Sequence, residues 1–402
     1  MNQAVTLWMS NVMKIGIAGA MTLGLLNLPC ELKRSLPIGY SFPMTALLVN
    51  ALIKRDHEVV AFTTSLGIED PIVVSDVNFT LCIAPRTPRS GRNLFRVERQ
   101  VLTDLMRRYP VEILHAHWSY EFAWAALDSR IPTLVTLHDH AWSILRYQFD
   151  AYRIMRLIMN YNVLSRSKYL STNSQYLFSL LGKRDQKKAR VIANFYSWEL
   201  EAQSSEDPNR SNVILSVSNG FGRRKNITTA LRAFALIRKK WRDVEYHLVG
   251  DGMEMGGPAH EYAVQNEICD GVWFIGKLAF AEVVKKMKQS LIFLHPAREE
   301  SFGMSVLEAM VLGTPVVAGY QAGNVPFILK GGEVGLLCDV RSAEDIAQAV
   351  LRLSEDRKLL ESLSMSAMEH ARNQYREDVI VPQYEQYYRD ILNSELGRER
   401  QR

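Results

Sequence analysis

Short apolar runs alternate with longer amphipathic runs through the first half of the chain. The apolar runs have the length of buried strands, and they are 13–19, 58–62, 77–83, 112–117 and 133–138. Helical patterns at 43–54 and 93–109 separate some of them. This alternation predicts a parallel sheet with helices on both faces, in which ligands gather at the carboxyl ends of the strands.

The same pattern restarts after a polar stretch at 199–212, which has no apolar periodicity and is predicted to be a linker. Beyond it, strand patterns recur at 213–218, 246–249, 272–275, 291–295 and 315–318, with a helix at 226–240. The last thirty residues form an amphipathic helical pattern. We therefore predict an α/β protein with an N-terminal domain over 1–198 and a similar C-terminal domain over 213–375.

Composition agrees with a protein of ordinary globular character. The chain has 402 residues, 47% hydrophobic and 23% charged, and a formal charge of +5. This charge permits anionic substrates or an anionic membrane surface but does not require nucleic acid, which we do not expect as a partner. The four cysteines are far apart in the sequence, which favours reduced thiols in the cytoplasm over a disulfide framework.

The N-terminal region allows two interpretations. Residues 15–28 are largely apolar and follow Lys14, as in a secretory signal that would end at Cys30. Pro29, however, stands where cleavage needs a small residue, and 13–19 resembles a buried strand entering a glycine-rich turn. We favour the strand, with Met13 as an alternative start of translation. The sequence contains no run of eighteen apolar residues, so a spanning helix is not expected.

The run from 295 to 311 carries the clearest chemical signal. Phe302, Gly303 and Ser305 stand where a loop passes into a helix, which places Glu300 before the helix and Glu308 on its second turn. The free amide groups of a helix start bind phosphate, and carboxylates accept hydrogen bonds from sugar hydroxyls. The combination predicts a site for a nucleotide sugar.

Several motifs in order resemble family 4 glycosyltransferases, which have the GT-B fold. The run from Glu300 through Glu308 to G-T-P-V-V-A at 313–318 is similar to the donor signature of that family. Residues 216–226 resemble its phosphate loop, and G-D-G at 250–252 matches a further strand end. The resemblance covers nearly the whole chain and is densest over 213–340.

The resemblance implies two Rossmann-like domains that face each other across a cleft, with a C-terminal helix at 376–402 that crosses back to the N-terminal domain. It also implies transfer of a sugar from a nucleotide-sugar donor to a hydroxyl acceptor, with retention at the anomeric carbon. The acceptor would be a glycan, a polysaccharide repeat unit or a lipid-linked saccharide. The family works without a metal or another cofactor, and this chain has no D-x-D motif.

Residue roles follow from the same resemblance. Glu300 would bind hydroxyls of the transferred sugar, and Glu308 would hold the ribose. Lys225 matches the lysine of the family, whereas Asn219 and Gly220 stand where an arginine is usual. Arg223 or Arg224 then supplies the second cation. Fixed positive charge there would stabilise the leaving diphosphate.

Further candidates complete the predicted site. His138 ends a strand at the position of the family histidine that faces the sugar, and Gly39 lies in the loop that approaches the donor. We count His138, Lys225 and Glu300 as catalytic candidates. The predicted donor-binding residues are Gly39, Asn219, Arg223, Arg224, Phe302, Gly303, Met304, Ser305 and Glu308. His115 and His117 are expected to be packing residues or to line the acceptor site, and Glu299 is expected at the surface.

A mixed basic and apolar run at 146–168 suits either a helix at an anionic membrane surface or a core-facing helix with a solvated basic side. The first alternative would place the protein at the inner face of the membrane and fit a role in polysaccharide biosynthesis. Two other functions stay open: a nucleotide-sugar epimerase or phosphorylase of the same fold, and a non-catalytic partner subunit. Turnover of donor without acceptor would favour the epimerase.

Overall fold

The structure is a computed structural model that describes residues 12–204 and 210–399. The choice of Met1 or Met13 as the start of translation concerns residues outside this description, and so does the middle of the predicted linker. The chain divides into two compact units. Within the described residues, the first comprises 12–172, 181–192 and 381–399, and the second comprises 173–180, 193–204 and 210–380.

The strands of the first unit are β1 Lys14–Ala18, β2 Glu58–Ser65, β3 Ile72–Asp76, β4 Phe79–Pro85, β5 Ile113–His117, β6 Thr133–Leu137, β7 Tyr169–Thr172 and β8 Ala189–Val191. Within the described residues they form one sheet in the order β3-β4-β2-β1-β5-β6-β7-β8. All neighbours are parallel except β3 and β4, which form an antiparallel hairpin at one edge. The sequence pattern predicted β1, β2, β4, β5 and β6 but missed the edge hairpin strand β3 and the short strands β7 and β8.

The strands of the second unit are β9 Ser211–Val217, β10 Glu245–Val249, β11 Val272–Gly276, β12 Ser290–His295, β13 Val316–Gly319 and β14 Leu336–Cys338. They pair in the order β11-β10-β9-β12-β13-β14, and every neighbouring pair is parallel. The strand order reverses between β9 and β12. The carboxyl ends of these two strands therefore flank a topological switch point, where open α/β sheets bind ligands.

The α-helices of the described residues are α1 Cys30–Ser35, α2 Pro43–Lys54, α3 Arg96–Arg108, α4 Glu121–Ser129, α5 Ala141–Tyr147, α6 Ala151–Arg166, α7 Gln175–Leu180, α8 Lys183–Gln186, α9 Trp198–Glu201, α10 Ile227–Lys240, α11 Pro258–Gln265, α12 Phe280–Gln289, α13 Met304–Val311, α14 Val325–Ile328, α15 Ala343–Glu355, α16 Arg357–Tyr375 and α17 Glu377–Glu399. Helix α9 occupies the first residues of the predicted linker. The predicted helical run at 146–168 is interrupted, because Asp150 caps α6 by accepting from the amide of Arg153.

The last helix, α17, returns to the first unit, as the sequence predicted. Tyr384 and Tyr388 of α17 are buried, and Tyr388 Oη lies 2.7 Å from Nδ1 of His115 on β5. Tyr387 donates to the carbonyl of Leu170 on β7 at 3.1 Å. The two sheets with helices confirm the predicted α/β fold of two Rossmann-like domains.

Candidate active site

Glycine shapes the start of α13. Gly303 precedes the helix with φ of 102°, a left-handed backbone that a side chain would strain. No side-chain cap covers the first turn of this helix. The amide groups of Met304 and Ser305 therefore lie at a positive helix end that suits an anion. Phe302, buried beneath this turn, contacts the ring of Tyr375.

Glu300 is positioned by a neighbouring loop. Its carbonyl oxygen accepts from the amide of Asn324 at 2.9 Å. A Cβ at Gly323 would lie only 2.3 Å from the same oxygen, so a larger residue cannot occupy that position without a shift. The loop at 323–324 thereby holds the backbone of Glu300 against the start of α13.

The side chain of Glu300 lies among three basic groups. Lys225 Nζ donates to Oε1 at 2.5 Å, Arg224 Nη1 lies 3.6 Å from Oε2, and His295 Nε2 lies 3.8 Å from Oε1. Burial raises the pKa of Glu300, but Lys225, His295 and Arg224 outweigh it, so the pKa lies below its ordinary value. The structure thus brings Lys225, Arg224 and Glu300 together, as expected for one site, and Glu300 is ionised at neutral pH.

The loop after β9 is fastened to the Glu300 segment. Asn226 donates to the carbonyls of Pro296 and Val340 at 2.9 and 2.6 Å, and it accepts from Arg298 Nε at 3.0 Å. Arg298 in turn donates its amide to the carbonyl of Arg224 at 2.8 Å. These contacts align Arg224 and Lys225 with the carboxylate.

The remaining residues of this loop divide between the site and solvent. Arg223 is exposed, so among the two arginines it is Arg224 that contacts the glutamates. Asn219 is also exposed, and its Oδ1 accepts from the amide of Asp251 at 3.4 Å. Position 250 requires glycine, because a Cβ there would lie 1.9 Å from the carbonyl oxygen of Ser218.

Glu299 is buried, and the expectation that it lies at the surface is wrong. Its side chain is 8% exposed, and Arg224 Nη1 lies 3.8 Å from its carboxylate and donates to its carbonyl at 3.2 Å. Burial raises the pKa of Glu299, and Arg224 offsets that rise only in part. Local sequence pattern could not predict this burial, because the loop turns inward through contacts with residues about 75 positions away.

The side chains of two further groups near the site make no hydrogen bond to other described residues. His295 ends β12 and is 4% exposed, and neither ring nitrogen has a hydrogen-bond partner. Burial lowers the pKa of His295 to about 4, so the ring is neutral at pH 7. Glu308 on α13 is half-buried, and burial raises its pKa to about 8. Both groups have unused hydrogen-bonding capacity that a polar ligand would satisfy.

His138 belongs to the first unit. It follows β6, is 9% exposed, and its Nε2 lies 2.8 Å from Nδ1 of His117. Burial lowers the pKa of His138 to about 3 and that of His117 well below its ordinary range, so both rings are neutral. His138 also contacts the rings of Trp118 and Phe42, at centroid distances of 5.0 and 5.3 Å.

The neighbours of His138 have separate partners. Asp139 accepts from Tyr120 Oη at 2.7 Å, and His140 Nδ1 lies 2.9 Å from Ser143 Oγ. His115 is a packing residue, because its two nitrogens contact Tyr388 Oη and Thr136 Oγ1 at 2.7 and 2.6 Å. The H-D-H run therefore does not act as one ligand cluster.

Gly39 lies where the chain passes close to its own backbone. A Cβ there would lie 2.6 Å from the carbonyl oxygen of Met21, and the amide of Tyr40 donates to that oxygen at 3.0 Å. A small residue at position 39 thus serves the packing of the loop after β1.

The sequence did not predict a cavity of about 370 Å³ in the first unit. It lies at the carboxyl ends of β1, β5 and β6, and six of its fourteen lining residues are aromatic. The lining residues are Ala20, Tyr40, Ser41, Phe42, Trp118, Tyr120, Glu121, Phe122, Asp139, Ala141, Ile144, Tyr152, Arg153 and Arg156. The aromatic residues Trp118, Tyr120 and Phe122, which closely follow β5, were the available signal.

Two family models match consecutive parts of the chain. The model described as Glycosyltransferase Family 4 matches residues 44–199, and the model described as Glycosyl transferases group 1 matches residues 198–370. The second match contains Lys225, Glu300 and Glu308, and the first contains His138. The chain belongs to the family 4 glycosyltransferases, and it is an enzyme that transfers sugar residues.

Known relatives agree with this assignment. The N-acetyl-alpha-D-glucosaminyl L-malate synthase of Bacillus anthracis is 26% identical over 309 residues, which cover 73% of this chain and 78% of that protein. The sucrose-phosphate synthase of Thermosynechococcus elongatus superposes with a TM-score of 0.74 at 19% identity, over 95% of this chain and 100% of the other. HepE of Anabaena, solved with UDP-glucose, gives a TM-score of 0.66 at 17% identity. That superposition covers 95% of this chain and 100% of HepE. Both solved structures support the GT-B fold.

Proposed function

We propose that the chain transfers a hexosyl group from a nucleoside-diphosphate sugar to a hydroxyl acceptor with retention at the anomeric carbon. The observation that carries the proposal is Glu300, held by Lys225 and Arg224 directly before the uncapped start of α13. The helix start and the two cations suit a diphosphate, and Glu300 suits sugar hydroxyls. Glu308, the fifth residue of the same helix, suits a ribose.

The proposed chemistry is positioning and charge stabilisation, without a metal cofactor. As the glycosidic bond breaks, negative charge grows on the leaving phosphate, and Lys225 and Arg224 stabilise it. Glu300 is a poor nucleophile because it is ion-paired with Lys225. We therefore propose a front-face reaction, in which the departing phosphate oxygen accepts the proton of the attacking hydroxyl and the new bond keeps the original configuration.

UDP-glucose is the first donor to test, because HepE was solved with it. Thermal-shift measurements with UDP-, GDP- and ADP-sugars should show one donor that stabilises the protein, since a ligand of the native state raises its melting temperature. Proton NMR of the first product formed should show the donor's anomeric configuration. A product with inverted anomeric configuration would contradict the proposal. So would a donor-induced rise in melting temperature that is the same in Lys225→Ala as in wild type.

A second part of the proposal concerns an anionic membrane at the cytoplasmic face. Ile154, Ile158 and Tyr161 are exposed and form one stripe along α6, and Trp142 and Arg146 are exposed on α5. This stripe supports insertion at a bilayer surface. No helix within the described ranges is long and apolar enough to cross a membrane.

The structure changes the electrostatic part of the membrane prediction. Arg153, Arg156 and Lys168 are not a free basic face, because each pairs with a carboxylate of the first unit. We therefore expect apolar contact to contribute more than charge. Co-sedimentation with phosphatidylglycerol and phosphatidylcholine vesicles tests this: Ile158→Glu should abolish binding, with Val264→Glu, an exposed change on α11, as the control. Equal binding by both variants would refute the membrane contact.

A further inference from the structure

The cavity of the first unit contains as many basic as acidic side chains. Two carboxylates, Glu121 and Asp139, and two guanidinium groups, Arg153 and Arg156, contribute to its lining. Each arginine pairs with an acid: Arg156 Nη1 donates to Glu121 Oε2, and Arg153 Nη1 donates to Asp150 Oδ2 at 2.7 Å. The cavity therefore presents no excess positive charge to a ligand.

Arg156 is the group that would otherwise attract an anion. Its guanidinium lies 4.0 Å from the ring centroid of Tyr120 and 5.3 Å from that of Tyr152. Glu121, its partner, has a side chain only 6% exposed. The ion pair and the aromatic contacts satisfy this arginine without a ligand, so an added carboxylate or phosphate would gain little from it and would be repelled by Glu121.

The rest of the wall suits the faces of a sugar ring. Tyr40, Phe42 and Trp118 present aromatic surface, and the C–H groups of a pyranose pack against such surface. Trp118 is held with φ of 63°, a conformation that costs energy in a bulky residue and is concentrated at functional sites. Asp139 accepts a hydrogen bond from Tyr120 and lies in the same wall.

We propose that this cavity binds the acceptor and selects an uncharged pyranose ring over a carboxylate- or phosphate-bearing acceptor. The inference rests on the proposed glycosyl transfer and adds the chemical class of its acceptor. Glu121 is then a specificity-determining residue, because it cancels the charge of Arg156. A free saccharide and a saccharide carried on a lipid present the same ring to this site.

Isothermal titration of the full chain with defined probes tests the proposal. The neutral probes are methyl glycosides of glucose, galactose, mannose and N-acetylglucosamine, and the anionic probes are L-malate, glycerol 3-phosphate and glucose 6-phosphate. We expect at least one neutral glycoside to bind at least about tenfold more tightly than every anionic probe. Tighter binding of an anionic probe, or binding of no neutral glycoside, would overturn the proposal.

Octyl glycosides of the same sugars distinguish a free saccharide acceptor from a lipid-linked one. Affinity for the octyl glycoside within about threefold of the methyl glycoside indicates a free saccharide, and a gain above about tenfold indicates a lipid-linked one. Both results support the pyranose assignment. The donor thermal shift is measured in parallel: if it persists while no neutral glycoside binds, the acceptor inference fails and the proposed donor chemistry stands.

Two variants separate charge from shape. Glu121→Gln leaves the charge of Arg156 unbalanced, so affinity for L-malate or glycerol 3-phosphate should rise about tenfold while methyl glycoside affinity stays within about threefold. Trp118→Leu should weaken methyl glycoside binding about tenfold and leave anion binding unchanged. Unchanged selectivity in both folded variants would show that the cavity does not select the acceptor.

Discussion

Lys225 Nζ and Glu300 Oε1 form a hydrogen-bonded ion pair 2.5 Å apart in the free protein. The same lysine is the proposed contact of the donor diphosphate, and the same glutamate the proposed contact of the sugar. Lys225 therefore helps to keep Glu300 ionised, and the hydrogen bond orients both side chains before the donor arrives. Donor binding would then add a second anion to a lysine that is already paired.

The first prediction concerns Lys225→Ala. The variant removes charge stabilisation of the leaving phosphate and should lower kcat/KM by at least about 100-fold, most of it in kcat. Steady-state kinetics with the donor found by thermal shift measures it. Lys239→Ala, an exposed change on α10, is the matched control and should match wild type. A variant with wild-type kcat would remove Lys225 from the mechanism.

The second prediction concerns Glu308→Gln. Because burial raises the folded pKa of Glu308 to about 8, the unfolded chain ionises first, and stability falls as pH rises from the unfolded pKa through 8. Glutamine avoids this cost, so Glu308→Gln should be more stable at pH 8 by about 1–3 kcal/mol and equally stable at pH 4. We expect a stabilisation near the lower end of this range, about 1 kcal/mol, because the Glu308 side chain is partly exposed to solvent.

Urea unfolding at both pH values measures this, with the exposed Glu282→Gln as the control. The same variant should bind donor more weakly, because an amide replaces one of the two acceptors offered to the ribose. A stabilised variant with unchanged donor affinity would show that Glu308 does not touch the nucleotide.

The third prediction concerns the stability of the fold at acidic pH. Burial depresses the pKa of His115 and His138 to about 3 and that of His295 to about 4, so only the unfolded chain protonates them near pH 5. Their stability contribution is complete above the unfolded pKa and is lost as pH falls. Each of these histidines should lower the free energy of unfolding by up to about 2 kcal/mol between pH 7 and pH 5.

Glu308 acts in the opposite direction over the same interval, so the Glu308→Gln protein is the right background for this measurement. Its free energy of unfolding should fall from pH 7 to pH 5, and the slope should be smaller after a further His115→Asn change. An equal slope in the two proteins would show that His115 is not neutral in the fold.

The fourth prediction compares two glycines. Gly323 and Gly331 have nearly the same φ, 64° and 68°, but a Cβ at Gly323 meets the carbonyl of Glu300 whereas one at Gly331 meets nothing within 4 Å. Gly331→Ala should cost about 1–2 kcal/mol of stability from backbone strain alone and keep full activity. Gly323→Ala should cost more and lower kcat, since Glu300 must move. Equal effects in calorimetry and kinetics would contradict this account.

Local pattern was sufficient for part of the fold and of the site. Buried parallel strands such as β5 and β6 are continuous apolar runs, and the glycine before α13 with its flanking glutamates marks a helix start. The short β3, with one solvated face, lacks that signal, because an edge strand is defined by the partner it pairs with.

Contacts between distant segments were beyond the reach of the sequence pattern. Glu299 looks like a surface residue until Arg224 covers it, and the histidine pair of His117 and His138 depends on strand register. The cavity joins residues from the loops after three strands, and the pairing of Arg156 with Glu121 is visible only when α4 and α6 are packed.

The return of α17 to the first unit has a consequence for synthesis on the ribosome. His115 contacts Tyr388, which lies 273 positions later, so the first sheet emerges long before the helix that covers it. Until then, the surface of His115 and its neighbouring strands that packs against α17 is exposed, and exposed apolar surface of this kind is prone to aggregation. The second unit takes its residues from 173–180 and 193–380 and is translated in full before the first is complete. We expect the domain that begins first to finish folding last.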